Sequence, residues 1–186
     1  MTTIVVGATG ATGQLLVEQL LGRGQKVKAV VRSKNKLAEA VRDHPDLSVI
    51  EASILDLTNE EIVEHLRGCS AVVSCLGHNL TFKGIFGHPR RLVTDATRRL
   101  CNAINAHASG QATKFVLMNT TGNRNRDLDE PISFVQRCVI GLLRYGLPPH
   151  ADNEEAADYL RTQIGQNGCR VGGGAARRFD QSRCRD

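Results

Sequence analysis

The chain has 186 residues, of which 41% are hydrophobic, and a formal net charge of +5 at pH 7. This length suits one domain, and because no apolar run could span a bilayer and the first predicted strand begins almost at Met1, without room for a secretory leader, we expect a cytoplasmic protein and no membrane association. Most of the net positive charge lies in residues 165–186 and aromatic residues are only 4% of the chain, so we do not expect nucleic-acid binding.

The first predicted strand leads into a glycine-rich turn. The run Ile4–Val6 is β-branched and unbroken, which is typical of a strand buried on both faces of a parallel sheet, and leucines at helical spacing follow the turn. Gly7 permits a tight turn, Gly10 lets a pyrophosphate approach the backbone, and Gly13 lets the helix lie close to the strand. We therefore predict dinucleotide binding, with packing of small residues as the alternative, at Gly7, Ala8, Thr9, Gly10, Ala11, Thr12 and Gly13.

The second predicted strand, Lys26–Val31, ends at a basic residue. Arg32 stands where a βαβ dinucleotide site meets the adenosine ribose, and Ser33 and two lysines follow it. A guanidinium suits a 2′-phosphate, and no carboxylate is present to hold a free 2′-hydroxyl. NADP is therefore expected as cofactor in preference to NAD. The alternative is that Arg32 begins an ordinary solvated basic helix with Ser33 as its N-cap.

The remaining elements alternate between strands and helices. Three further strands are predicted: Leu47–Ile54, one from Ser70 to near Cys75, and one from Thr113 to Asn119. Helices are predicted at Asn59–Gly68, Pro89–His107, Pro131–Gly146 and His150–Ile164. Such alternation predicts an α/β fold with a doubly wound parallel sheet of about five strands. No repeat and no linker divides residues 1–164.

Four motifs, in order, carry a resemblance to a known family: VVGATGATG, VVRS, VVSCLGHN and VLMNTTG. Over roughly Thr2 to Ile164 the chain resembles the atypical short-chain dehydrogenases/reductases, a group that includes NmrA-like and biliverdin-reductase-B-like proteins. The resemblance implies an NADP(H)-binding Rossmann domain over residues 1–164. It does not imply a particular substrate.

In such sheets the ligand lies at the carboxyl ends of the strands, and the resemblance supports the same positions. We expect the adenine near two residues, the nicotinamide ribose along three, and the nicotinamide ring beside three more: Ser53 and Ile54; Cys75, Leu76 and Gly77; Asn119, Thr120 and Thr121. The family often has an acid near Ser53, where this chain has serine. For the side chains of Cys75 and Leu76, core packing is the alternative.

No catalytic residue is assigned. Ordinary members of the superfamily use a tyrosine four residues before a lysine as a general acid or base. Here Tyr145 is followed at that spacing by Pro149, and Tyr159 by Gln163.

Two functions are therefore weighed. The first is a reductase that moves hydride from NADPH to a small unsaturated or quinone-like molecule, with the proton supplied by water or by a hydroxyl such as Thr120 or Thr121. The second is a non-catalytic NADP redox sensor that acts on a protein partner, as NmrA-like relatives do.

Residues 77–91 hold Phe82 and Phe86 between glycines, and are interpreted as a flap over the substrate or as packing on the sheet edge.

The six cysteines include no C-x-x-C pair, so we expect free thiols, with Cys69, Cys75 and Cys101 packing as small hydrophobic residues. No His or Cys set has zinc spacing, and no metal is expected.

Residues 165–186 break the pattern of the chain before them. Glycine and arginine dominate, and neither strand nor helix periodicity is present. Reading the codons from Cys169 one nucleotide out of register permits Val-Glu-Trp-Val-Val-Val-Arg-Pro-Asp, a buried strand of the kind the resemblance leads us to expect there. The hypothesis is that residues from about Gly168 onward are a disordered frameshift product and that the final strands are missing. Resequencing the gene across this region tests it.

Overall fold

A computed structural model of the chain describes residues 1–77, 89–107, 113–118 and 148–164. The strands are β1 (Thr2–Val6), β2 (Lys26–Val31), β3 (Leu47–Glu51), β4 (Ala71–Ser74) and β5 (Lys114–Leu117). The helices are α1 (Ala11–Gly22), α2 (Glu39–Arg42), α3 (Asn59–Leu66), α4 (Leu92–Ala106) and α5 (Pro148–Tyr159). A 3₁₀ turn spans Lys34–Lys36, and α5 continues as a π-helical turn, Leu160–Ile164.

The five strands form one parallel sheet in the order β3-β2-β1-β4-β5. The central strand is β1, which pairs with β2 on one side and β4 on the other. The chain therefore builds the sheet outward in one direction and then in the other, and the strand order reverses between β1 and β4. The predicted α/β doubly wound sheet is confirmed.

Both faces of the sheet are buried, as the unbroken apolar run of β1 predicts. Ile4 and Val6 face a core beneath α3, α4 and α5, and Val5 faces a second core beneath α1 and α2. All three side chains are at most 2% exposed. Burying each such side chain contributes about 1.5–3 kcal/mol, so the strand that leads into the glycine turn is among the most firmly held parts of the structure.

The element ends differ from the sequence prediction in a few places. The bounds of β2 agree with it, whereas β3 stops at Glu51 and α1 begins at Ala11. Thr58 is the N-cap of α3, in a capping box in which its hydroxyl accepts from the Glu61 amide. The predicted helix at 131–146, the residues 78–88 of the expected flap, and the tail at 165–186 lie outside the described residues.

A buried carboxylate joins α5 to the start of α4. Asp152 is 3% exposed, and its two carboxylate oxygens accept from the amides of Val93 (2.8 Å) and Thr94 (2.9 Å). The Thr94 hydroxyl donates in turn to the Asp152 carbonyl at 2.9 Å. First-turn amides have no partner within their own helix, so Asp152 supplies from α5 the cap that α4 lacks.

The helices in the described part of the chain include none with the length and apolar character that a membrane span requires.

Candidate functional site

The turn after β1 is shaped by two glycines that have no room for a side chain. Gly7 has a φ of +80°, and a Cβ there would lie 2.6 Å from the Cys75 carbonyl oxygen, at the end of β4. A Cβ on Gly13 would lie 2.2 Å from the Gly7 oxygen. A hydrogen bond from the Gly10 amide to that same oxygen, at 3.1 Å, closes the turn. The predicted roles of Gly7 in the turn and of Gly13 in helix packing agree with this geometry.

Gly10 differs from the other two because it faces open space. A Cβ there would meet only the Gly7 oxygen, at 3.4 Å, and the residue is exposed. Gly10 is also the N-cap of α1, and as a glycine it offers no side chain to the first-turn amides. Those amides carry the positive end of the helix dipole, and the first turn contains no acidic residue. An anion can therefore approach the backbone at Gly10.

The other residues of the turn divide between core and surface. Ala8 is fully buried and packs in the core beneath α1, while Thr9 is half-buried. Ala11 and Thr12 are exposed beside Gly10. The surface that a ligand can reach is therefore the stretch from Thr9 to Thr12.

Arg32 lies directly after β2, the neighbour of β1, at the same edge of the sheet. It is exposed, and among the described residues no hydrogen bond or ion pair engages its side chain. Ser33 follows at the N-cap position of the 3₁₀ turn, but its side chain makes no capping hydrogen bond and the turn is only three residues long. Lys34 is paired with Asp43, with its Nζ 3.2 Å from a carboxylate oxygen.

The remaining predicted residues follow β3 and β4. The Ile54 side chain is 4% exposed and lies in the core, so its backbone is the part that can face a ligand, while Ser53 is half-buried. Cys75 is 7% exposed and Leu76 packs against the core, which agrees with the core-packing alternative for both side chains. Gly77 is exposed. The predicted residues 119–121 lie outside the described residues.

The shifted pKa values of Cys75 and Tyr159 bear on catalysis. Burial raises the pKa of the Cys75 thiol, so it stays protonated at neutral pH and is a poor nucleophile. Burial also raises the pKa of Tyr159, with Cys101 adding to the effect and Arg98 opposing it. Tyr159 packs beside Arg98, whose guanidinium carbon is 5.4 Å from the ring centroid.

Tyr159 is the last residue of α5, and the residue four positions later is Gln163 rather than lysine. This absence argues against Tyr159 as the proton donor. Cys69 and Cys75 are buried free thiols, as predicted, and Cys101 is buried as well. Within the described ranges no His, Cys, Asp and Glu side chains cluster as a metal site would require.

The structure thus brings the glycine turn against the backbone of Cys75 at the point where strand order reverses, with Arg32 one strand away. Residues 7–164 match the sequence profile of a family described as NAD(P)H-binding. The chain belongs to this NAD(P)H-binding family. Its five-stranded parallel sheet with helices confirms the expected Rossmann-like α/β fold.

Individual relatives are distant. An uncharacterized chloroplastic protein of Arabidopsis thaliana is 39% identical over 71 residues, which are 38% of this chain and 25% of that protein. The match spans only a quarter of that relative's length. The cytoplasmic location predicted for this chain stays a prediction.

Solved structures share the fold. A candidate NADH-flavin reductase from Streptococcus pneumoniae is 24% identical, with a TM-score of 0.54 over 87% of this chain and 66% of its own. UDP-glucuronic acid 4-epimerase from Bacillus cereus, in complex with UDP-glucuronic acid and NAD, is 14% identical, with a TM-score of 0.66 over 93% of this chain and 55% of its own. At these identities the likeness establishes the fold alone.

Proposed function

We propose that this family member binds NADP(H) in preference to NAD(H) and uses it to reduce a small unsaturated or quinone-like molecule. The observation that carries the proposal is Arg32, an exposed guanidinium at the carboxyl end of β2 that is not engaged by the described residues. The exposed Lys36 adds positive charge, whereas Asp43 already neutralises Lys34. A guanidinium recognises a phosphate through two parallel hydrogen bonds, which supports recognition of a 2′-phosphate.

The glycine turn supports the binding of the pyrophosphate. Gly10 leaves the helix N-terminus uncovered, and Gly7 holds the turn against the end of β4. When bound, the nicotinamide supplies the hydride. The backbone of Cys75 and Leu76 lies next to the turn, which supports their expected place along the nicotinamide ribose. The proton comes from water or from the hydroxyl of Thr120 or Thr121, which are expected beside the ring.

The replacement Arg32→Ala tests the cofactor preference. We expect NADPH affinity to fall by about 1.5–3 kcal/mol, the value for hydrogen bonds to charged groups, with little change for NADH. Isothermal titration calorimetry with NADPH and NADH measures both affinities. Arg23→Ala is the matched control, because Arg23 is an exposed arginine at the end of α1 away from the glycine turn. An equal loss of affinity for the two nucleotides in Arg32→Ala contradicts the assignment.

The second candidate function is a non-catalytic NADP redox sensor with a protein partner. It is favoured by the absence of lysine four residues after Tyr145 or Tyr159. NADPH oxidation measured against a panel of quinones and flavins separates the candidates. Turnover on any acceptor supports the reductase, and tight NADPH binding without turnover on any of them supports the sensor.

A further inference from the structure

The segment that follows Arg32 is held in place through its carbonyl groups. Within Ser33–Leu37, two carbonyls accept backbone amides of the same segment. Arg42, from α2, donates from Nη2 to the carbonyls of Asn35 (3.0 Å) and Leu37 (2.8 Å). The segment therefore has a defined conformation. Leu37 at its end is buried in the core beneath α1 and α2, whereas Asn35 and Lys36 are exposed.

The remaining carbonyl of the segment is bound by a residue from another part of the chain. Gln14 lies in the first turns of α1, and its Nε2 donates to the Lys36 carbonyl at 3.3 Å and to the Thr9 carbonyl at 3.1 Å. A glutamine amide has two N–H groups, so both are used. This single side chain joins the glycine turn to the segment behind Arg32.

The two ends of this bridge depend on Gln14 to different degrees. The glycine turn is fixed without it, by the Gly10 amide on the Gly7 oxygen and by the close contact of Gly7 with Cys75. Among the described residues, however, Gln14 supplies the hydrogen bond to the Lys36 carbonyl. The fixed turn is thus the anchor, and the segment after β2 is what Gln14 positions.

We propose that Gln14 is a positioning residue for cofactor selectivity: it sets the segment behind Arg32 at a fixed distance from the glycine turn, so that one nucleotide can reach both. The proposal rests on the NADP preference proposed above. Because misplacement by about 1 Å is enough to weaken a charged contact, loss of the bridge reduces NADPH binding more than NADH binding. Gln14 itself does not need to touch the nucleotide.

The test uses Gln14→Met, which keeps a similar length, removes both N–H groups and adds no charge. Gln19→Met is the matched control, because Gln19 is an exposed glutamine on the same helix. We expect NADPH affinity to fall about tenfold in Gln14→Met, the equivalent of one or two hydrogen bonds, and NADH affinity to fall less than about threefold. In an Arg32→Ala background, Gln14→Met has the same small effect on both nucleotides.

Hydrogen exchange on the nucleotide-free protein gives a second readout. Amides of the peptide that spans residues 33–37 exchange faster in Gln14→Met than in wild type or Gln19→Met. Unchanged exchange, or an unchanged ratio of NADPH to NADH affinity in Gln14→Met, overturns the role of Gln14. A wild-type protein that binds NADPH no better than NADH instead overturns the cofactor preference, and with it this role, whatever the exchange data show.

Discussion

The sharpest prediction for folding concerns two glycines of α1. Gly13→Ala places a Cβ 2.2 Å from the Gly7 oxygen and 2.9 Å from the Ala8 Cα, both backbone atoms. The Gly7 oxygen cannot move away without weakening its 3.1 Å hydrogen bond from the Gly10 amide. The substitution therefore forces α1 and the end of β1 apart, since neither contact is with a flexible side chain.

The change in the free energy of unfolding is the sum of two destabilising effects and one stabilising effect. Overpacking costs about 1–3 kcal/mol, weakening the hydrogen bond costs about 1 kcal/mol, and alanine recovers up to about 1 kcal/mol of helix propensity. The free energy of unfolding should therefore fall by about 1–3 kcal/mol, which lowers Tm by about 5 °C in a chain of this size. Gly22→Ala is the control, because no atom lies within 4 Å of its added Cβ.

Urea and thermal denaturation followed by circular dichroism measure both variants. Gly22→Ala should be as stable as wild type or more stable by up to about 1 kcal/mol, since only the propensity gain remains. The reasoning is refuted when Gly13→Ala unfolds at the wild-type midpoint, or when the two alanines shift stability equally.

Three further predictions concern other parts of the structure. Gly10→Val should leave stability nearly unchanged, because a Cβ there meets only one atom, at 3.4 Å, but should abolish titration by both NADPH and NADH; retained binding means that the turn serves packing alone. Asp152→Ala leaves two buried amides of α4 without this acceptor and should lower the free energy of unfolding in urea by about 3 kcal/mol. The control Glu64→Ala removes an exposed 3.0 Å ion pair with Arg67 and should cost under about 1 kcal/mol; equal losses contradict the capping role. Because burial raises the pKa of the Cys75 thiol in the folded state, its contribution is complete below the ordinary thiol pKa and is lost as pH rises through the raised value, so Cys75→Ala should flatten the alkaline fall in stability; an unchanged pH slope is evidence against it.

Local sequence signals predict much of this fold. The β-branched run of β1 and the spacing of the three glycines predict a central buried strand and the distinct roles of Gly7 and Gly13, because each depends on backbone geometry within a few residues. The end of β2 also depends on nearby residues alone, because the apolar run that predicts the strand stops at the charged Arg32.

Contacts between distant residues account for what the sequence does not reveal. The carbonyls of the 3₁₀ turn at Lys34–Lys36 accept hydrogen bonds from the side chains of Gln14 and Arg42. Nothing in the sequence around these two residues indicates which carbonyls they bind. Asp152 caps a helix that starts about 60 residues earlier, and its sequence neighbourhood looks like any acidic helix surface. The sequence predicts Ile54 near the adenine and does not reveal that its side chain packs in the core, because that contact comes from distant helices.

The contact between Gly7 and Cys75 has a consequence for the order in which the molecule forms. The Ser70 hydroxyl, directly before β4, donates to the Thr2 carbonyl of β1 at 3.1 Å, across 68 residues of chain. Closing so long a loop delays folding more than it affects final stability. A nascent chain that ends before Cys75 therefore contains the whole glycine motif but lacks the backbone that Gly7 contacts. Nucleotide should leave the earliest refolding phases unchanged and should slow only the unfolding of the complete sheet.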